Sequence, residues 1–479
     1  MKRMKTLIKN ILLAVPVILS ASCSDWLEED PKTFISPSSF YQTVEDFDGA
    51  LKGLYPQGQN LNLTEVFADY NDKPESAEQV GDIWANNPGY GFYAFRNAWS
   101  GPYSTIKNAN MILESIEDKD FTAETKNRII GEAKCLRAWS YFTLVQFFGV
   151  PLRDKVVTSD ADVAIDRTPQ ADIYQFIFDD ILDAEQKLPE EAQDMGRVNK
   201  WVVKAIMARI YLTSAGFPMN QKENYAKAKE KALEVINSGQ YSLMLTFDKV
   251  FKTERYTAET IWAQLFSAPD SYSGMHNESS PIGSQTALYL PTDAFIASFD
   301  KGDMRKEWGI KPEYVNVKGN KVIARTYYNK YINEEYLEQE LPASNTNILT
   351  WQTQLIRLAE MYLIAAEAEN EINGPAGAYQ YINAIRKRAR VDQNDPTNVP
   401  DLSGLSQDQF REAVLLERQH ELYEEGFAWY DLKRTQTFDK VQKARGSRLN
   451  VPIGAYNNTW LIPDTEILNN NIPQNPDYR

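Results

Sequence analysis

Histidine and cysteine are scarce in this chain of 479 residues, which contains two of each. A zinc site built on histidine, or a Ser-His-Asp triad, would have to use His276 or His420. His420 begins a sequence like that of a zinc-protease helix, but Glu424 occupies the position that needs a second histidine. The phosphate-binding loop and the dinucleotide-binding glycine pattern are also absent. No metal, cofactor or common catalytic centre is therefore predicted, although 66 acidic residues leave a carboxylate pair for glycoside hydrolysis open.

Positive charge is in the minority, with 51 basic residues against 66 acidic ones and a net charge of −15. Nucleic-acid binding needs a basic face, so this balance argues against a nucleic-acid partner. The apolar run at residues 11–19 is well short of the ~20 residues that a membrane-spanning helix needs. Attachment to a membrane would therefore depend on a lipid rather than on surface charge or a spanning helix.

The start of the chain has the order of a secretory signal. Basic residues come first, the apolar run follows, and small residues at 20–22 precede Cys23 and an acidic stretch at 24–30. A cysteine at the cleavage point is typical of a bacterial lipoprotein, which is cut before that cysteine and lipidated on its sulfur. We expect residues 1–22 to be the signal peptide and Cys23 to carry the lipid. The alternative is a plain secreted protein that has a cysteine at this place.

Apolar residues recur at helical spacing along much of the chain. Thr168 and Asn199 are the expected N-caps of two helices, and Ser406 and Gln409 form the capping box of a third. Short turns between neighbouring helices predict tetratricopeptide-like helical hairpins. Between about 240 and 350 the pattern breaks, and a loop-rich stretch is expected there. The predicted helices cover residues 123–148, 169–188, 200–215, 222–238, 355–370, 378–389 and 406–425.

The segment from Glu417 to Arg434 mixes acidic, basic and aromatic residues at helical spacing. On an exposed helix, each glutamate of such a stripe would pair with a lysine four residues further on. Here the charges alternate with apolar residues instead. The pattern predicts a partly buried ion-pair network that clamps two helices at Gly426, which is a structural role. Arg418 and Glu421 are therefore expected to be buried and paired.

This segment resembles the signature E-R-x-x-E-L-x-x-E-G-x-x-W-x-D-L-x-R of the SusD/RagB family. The start at Cys23, the helix at Trp99, the stretch 291–305 and the ending at 462–478 also resemble that family. The positions that match the signature are Glu417, Arg418, Glu421, Leu422, Glu425, Gly426, Trp429, Asp431, Leu432 and Arg434.

The resemblance implies a mainly all-α, SusD-like fold with tetratricopeptide-like hairpins and a loop-rich, irregular ligand-binding half. Its expected parts are the signal peptide 1–22, an N-terminal part 23–240 and a C-terminal part 241–479, intertwined in one globular unit. It also implies a surface-exposed lipoprotein of the Bacteroidetes outer membrane, held there only by its lipid anchor. Such a protein is the lid of a TonB-dependent transporter of the SusC/RagA type. It binds nutrient, usually an oligosaccharide and sometimes a peptide, and is not an enzyme.

By region only, the resemblance places stacking aromatic residues on loops outside the repeat helices. For each ring the alternative is ordinary core packing. Two other functions stay open for the chain as a whole: a surface glycoside hydrolase, and a repeat scaffold that binds no small ligand. The candidate ligand-binding residues are Trp84, Tyr90, Tyr272, Tyr289 and Trp308, with Asn86, Asn87 and Asn277 as candidate hydrogen-bonding residues.

Overall fold

The structure of the protein, a computed structural model, describes most of the chain from residue 40 onward. The described residues are 40–55, 65, 68–72, 88–159, 162–252, 256–265, 290–315, 321–331, 352–445, 454–470 and 472–475.

Helices dominate the described part of the chain, so the prediction of a mainly all-α fold is confirmed. None of the described helices is long and apolar enough to cross a bilayer. The first six are α1 (Val44–Lys52), α2 (Pro88–Ile116), α3 (Ala123–Phe147), α4 (Gln170–Lys187), α5 (Lys200–Ala215) and α6 (Asn224–Ile236). They are followed by α7 (Lys249–Lys252), α8 (Asp293–Ser298), α9 (Met304–Glu307), α10 (Leu358–Asn373), α11 (Tyr379–Ala389), α12 (Gln407–Leu422), α13 (Ala428–Thr435), α14 (Phe438–Arg445) and α15 (Asp464–Asn470).

Side-chain caps fix the starts of two helices where the sequence predicted them. At α5 the Asn199 side chain accepts a hydrogen bond of 2.9 Å from the Val202 N–H. At α12 the Ser406 hydroxyl accepts from the Gln409 N–H at 3.3 Å, and the Gln409 side chain accepts from the Ser406 N–H at 2.9 Å. Such caps satisfy N–H groups that have no partner within the helix. The capping box is therefore confirmed.

The predicted cap of α4 is wrong. Pro169, not Thr168, is the residue before the first helical position, and no side chain caps this helix. The Thr168 hydroxyl instead accepts a hydrogen bond from the Leu152 N–H at 2.9 Å, which ties the loop after α3 to the start of α4. The Thr168 hydroxyl, which local sequence predicted to cap the helix, therefore makes a tertiary contact instead.

Consecutive helices pack as hairpins around an apolar core. α2 packs on α3, α3 on α4, α5 on α6, and α10 on α11. The first and second parts of the chain meet where α6 and α5 pack against α10, and where α13 packs on α5. Trp429 and Trp460 lie at the centre with Phe147, whose ring centroid is 4.1 Å from that of Trp460. α13, the second helix of the signature segment, is thus held in the core by residues from both the N-terminal and the C-terminal part of the chain.

Short strands occur within and beside the stretch 240–350 that was predicted to be rich in loops, and one further strand lies earlier in the chain. The strands are β1 (Asn71–Asp72), β2 (Thr260–Leu265), β3 (Leu290–Pro291), β4 (Ile310–Val315), β5 (Lys321–Tyr328) and β6 (Gln352–Arg357). Within the described residues they form antiparallel pairs: β1 with β3, β2 with β6, and β4 with β5.

Two predicted helix boundaries need correction. The helix expected from Leu355 begins at Leu358, because Leu355 lies in β6, where Ile356 and Gln354 pair with Trp262 and Ala263 of β2. The helix expected to continue to residue 425 ends at Leu422. The chain then turns before α13, and this turn brings the charged residues of α12 and α13 together.

Candidate functional site

The turn between α12 and α13 reverses the chain within five residues. Glu424 and Gly426 have positive φ angles of 60° and 83°, the left-handed region that glycine adopts most readily. The reversal places Arg418 of α12 against Asp431 of α13, with the Arg418 Nε donating to Oδ2 at 2.7 Å. The other oxygen of Asp431 accepts from the Arg434 Nε at 2.8 Å. The two signature helices are therefore joined through one shared carboxylate.

Glu421 lies at the centre of a buried ion-pair network and is fully shielded from solvent. One of its oxygens accepts from the Arg357 Nη1 at 2.5 Å and from Arg388. The other faces the Arg305 Nη1 at 3.3 Å. Burial alone would raise the pKa of the Glu421 carboxyl, but the charges of these three arginines outweigh it and hold the pKa well below its usual value.

Further pairs extend the network in both directions. Glu417 accepts from the Arg305 Nη1 at 2.5 Å and from the Arg386 Nη1 at 2.7 Å. Glu425 accepts from the Arg357 Nε at 2.7 Å and from the Lys330 ammonium at 2.6 Å. The buried cations are Arg305, Lys330, Arg357, Arg386 and Arg388, and the buried carboxylates that face them are Glu259, Asp303, Glu417, Glu421 and Glu425.

Opposite charges are equal in number in this set, and each side chain is nearly or fully buried. The residues come from β6, α9, α11, α12, the turn after α12, and the chain just before β2, before α9 and after β5, so the network ties together elements that are distant in sequence. Breaking a buried pair by removing one partner is costly, because the other charge stays buried. The expected burial and pairing of Arg418 and Glu421 is what the structure has, and it fits the structural role predicted for the signature.

Glu65 binds the turn between α12 and α13. Its carboxylate accepts from the N–H groups of Gly426 at 2.7 Å and Glu424 at 3.2 Å. It also accepts from the Tyr70 hydroxyl at 2.6 Å. Glu65 is fully buried, and this burial raises the pKa of its carboxyl to about 7. A residue from the first part of the chain therefore holds the turn of the signature helices.

The chain next to one candidate ligand-binding residue, Tyr289, is attached to β1 close to this turn. Asp72 pairs with Leu290, which directly follows Tyr289, and the same strand β1 precedes the stretch of Trp84 and Tyr90. The Asn71 side chain accepts from the Tyr328 hydroxyl at 2.5 Å, which ties β1 to the end of β5. The chain that leads into the stretch of Trp84 and Tyr90 and the chain that follows Tyr289 thus meet in one small region.

A family model described as "SusD family" matches residues 183–476, which is more than half of the chain. The chain belongs to the SusD family. A second model, described as "Starch-binding associating with outer membrane", matches residues 25–212.

Relatives and solved structures agree with this SusD-family assignment. A SusD-like protein of Formosa agariphila is 27% identical, with 89% of this chain and 90% of the relative covered. The crystal structure of a SusD superfamily protein from Parabacteroides distasonis superposes with a TM-score of 0.79 at 24% identity, covering 91% of this chain and 99% of that one. A laminarin-binding SusD-like protein has a TM-score of 0.72 at 21% identity, covering 91% and 100%. These structures share the SusD fold of this chain.

Most of the residues predicted to bind ligand lie outside the described part of the chain. Cys23, the candidate lipid site, also lies outside the described residues. The loop position predicted for Tyr90 is wrong, because Tyr90 lies in α2; its side chain is not among those described. The candidates outside the described residues are Trp84, Tyr272, Tyr289, Asn86, Asn87 and Asn277.

Trp308 is placed, and it lies in the core. Its side chain is 8% exposed, and its ring stacks on Phe251 at an interplanar angle of 16°. Phe247 meets the same ring edge-on, at 5.8 Å between centroids. This placement favours core packing, the alternative kept for each ring, over stacking on a ligand.

Most of the partners in the ion-pair network were not predicted from the sequence. Arg357 and Lys330 lie outside the signature, and so does Glu65. Arg386 and Arg388 are a clearer case, since they follow the buried Ile382 and Ile385 at spacings of four and three and so flank the same buried face of the helix. Basic residues within an apolar helical pattern are the signal from which this buried pairing could have been predicted. Among the described residues, no group of three His, Cys, Asp or Glu side chains is arranged to hold a metal ion.

Proposed function

We propose that this protein is a glycan-binding lipoprotein on the outer face of the outer membrane. Membership of the SusD family is the observation that carries the proposal. The model for residues 25–212 is described as starch-binding and associated with the outer membrane, and one structure of similar fold is a laminarin-binding protein. An oligosaccharide is therefore the ligand class that we favour, with a peptide as the alternative.

We further propose that the protein acts as the lid of a SusC/RagA-type TonB-dependent transporter and binds its ligand without cleaving it. The carboxylates of the ion-pair network support binding without catalysis, because they are buried and already paired with cations. A glycosidase needs two carboxyl groups that flank the substrate. Affinity purification of the tagged protein from solubilised outer membranes tests the lid role. Co-purification of a TonB-dependent transporter supports it, and recovery of the protein alone would contradict it.

The lipid anchor makes a direct prediction for Cys23→Ala. Burial of lipid chains contributes ~0.8 kcal/mol per CH₂, and stable anchoring takes two signals such as two chains. Removal of the sulfur that carries them is expected to release the protein from the membrane fraction. Cell fractionation and protease treatment of whole cells measure this, with Cys135→Ala as a control for loss of a cysteine. A Cys23→Ala protein that stays in the outer membrane and is cleaved on intact cells would contradict the anchor.

Two tryptophans separate ligand binding from packing. Trp84→Ala is expected to weaken oligosaccharide binding by ~1–3 kcal/mol, by analogy with other aromatic stacking contacts, and to leave stability nearly unchanged. Trp308→Ala is expected to lower the free energy of unfolding by about 3 kcal/mol, because it opens a cavity beside Phe251. Calorimetric titration and urea unfolding of both variants measure the two effects. Parent-like binding by Trp84→Ala, with loss of binding by a stably folded Trp308→Ala, would reverse the assignment.

A further inference from the structure

A groove runs between the two signature helices, on the side away from the ion-pair network's centre at Glu421. α12 contributes Leu415 and Leu422 to its walls, and α13 contributes Leu432. Phe427, from the turn, completes the apolar part. The empty space in the groove is about 390 Å³, a figure that includes the solvent at its open mouth. Its lining is apolar at these positions and polar at Arg418 and at the rim.

Arg418 lines this groove with hydrogen-bonding capacity to spare. The side chain is 3% exposed, and its Nε is bound to Asp431 at 2.7 Å. Its buried Nη1 has no hydrogen-bond partner among the described residues. Asp431 cannot supply one readily, because its second oxygen is already bound by Arg434. A buried N–H group without a partner is costly, more so on a charged side chain, and a bound acceptor would remove that cost.

The rim of the groove adds a second cation and two hydroxyl groups. Lys440 lines the groove at 32% side-chain exposure, and its ammonium pairs with Glu412 at 3.0 Å. Glu412 is 66% exposed, and such surface pairs are weak, so the lysine is free to take a better partner. The hydroxyls of Thr435 and Thr437 lie 2.8 Å apart beside it. Of the charged residues that line the groove, two are positive and one, Asp431, is negative.

We propose that this groove binds the carboxylate of a small apolar acid. The carboxylate accepts from the Nη1 of Arg418 inside the groove and from the Lys440 ammonium at the rim, in charge-assisted hydrogen bonds. A short apolar tail lies against Leu415, Leu422 and Leu432. A single negative charge matches the one excess positive charge among the lining residues, and the nearby carboxylate of Glu412 further disfavours a dianion such as phosphate. This site is separate from the aromatic stretches proposed to bind glycan.

Sodium propionate is the probe for this site. Its effect on the melting temperature of the full chain is measured at constant ionic strength, with sodium chloride and sodium phosphate in parallel, because a ligand that binds the folded state stabilises it. Propionate is expected to raise the melting temperature saturably, and more than either salt. A response to propionate no larger than the response to chloride would overturn the proposal. A saturable response to phosphate that is larger than the response to propionate would overturn the monocarboxylate class, since the general stabilisation by phosphate does not saturate.

Two lysines on α14 provide matched variants. Lys440→Glu is expected to weaken propionate binding at least tenfold. Lys443→Glu, whose parent residue is 77% exposed and pairs with Asp439, is expected to bind like the parent. Neither lysine belongs to the buried network, so both variants should fold. Equal responses of the two variants to propionate would overturn the placement of the site. A structure determined with propionate provides the second measurement, and density beside Arg418 is the expected result.

Discussion

Replacement of Glu421 by glutamine is expected to lower the free energy of unfolding by ~3–5 kcal/mol. The carboxylate is fully buried and faces Arg305, Arg357 and Arg388, so an uncharged amide leaves three buried cations short of negative charge. The side-chain amide of glutamine would also place an N–H donor opposite the N–H donors of these arginines. Urea unfolding followed by tryptophan fluorescence measures the loss.

Glu412→Gln is the matched control, since it makes the same change on the same helix. Glu412 is 66% exposed, and its pair with Lys440 is on the surface, so the expected loss is below ~1 kcal/mol. Because the chemical change is the same, the difference between the two losses in free energy of unfolding measures the effect of burial and of the buried ion pairs. If Glu421→Gln unfolds at the same urea concentration as Glu412→Gln, the network does not carry the stability assigned to it here.

Replacement of Glu65 by glutamine is expected to change how stability depends on pH. Burial raises the pKa of the Glu65 carboxyl from its ordinary value of 4.5 to about 7. Between these two values the folded protein holds a proton that the unfolded chain has released. The contribution of Glu65 to stability is therefore fully present below pH 4.5 and is lost as the pH rises through about 7.

Glu65→Gln removes this titration, because its amide stays neutral at every pH. Relative to the parent, the variant should gain stability between pH 5 and pH 8, by up to ~3 kcal/mol in the limit of the full pKa difference. Unfolding curves at several pH values measure the gain, and Glu412→Gln provides the control for an exposed glutamate. A stability difference between Glu65→Gln and the parent that is the same at pH 5 and pH 8 would contradict the raised pKa.

Local signals were sufficient for much of the helical framework. The capping box at Ser406 and the Asn199 cap depend on residues within four positions of each other, so the sequence displays them directly. The alternation of charge and apolar residues in the signature likewise predicted that Arg418 and Glu421 are buried. Each of these predictions concerns a residue's immediate neighbours along one helix.

Features that depend on distant partners were not predictable in the same way. Leu355 lies in a strand because β6 pairs with β2, whose residues are about 90 positions earlier in the chain. Glu421 depends on arginines from β6, α9 and α11, and no spacing in the sequence assigns an arginine to a carboxylate that far away. Trp308 was predicted near a ligand from its region alone, whereas its burial depends on Phe247 and Phe251.

The proposed glycan binding is tested most directly by calorimetric titration of the purified protein with a panel of oligosaccharides and a panel of peptides. Saturable binding of at least one oligosaccharide is expected, with the sugar recovered intact after long incubation. Exclusive binding of peptides would replace the ligand class. Cleavage of the bound oligosaccharide would contradict the proposal of binding without catalysis. Failure to bind any oligosaccharide or peptide, by a protein that still associates with its transporter, would contradict the central claim and favour a structural scaffold.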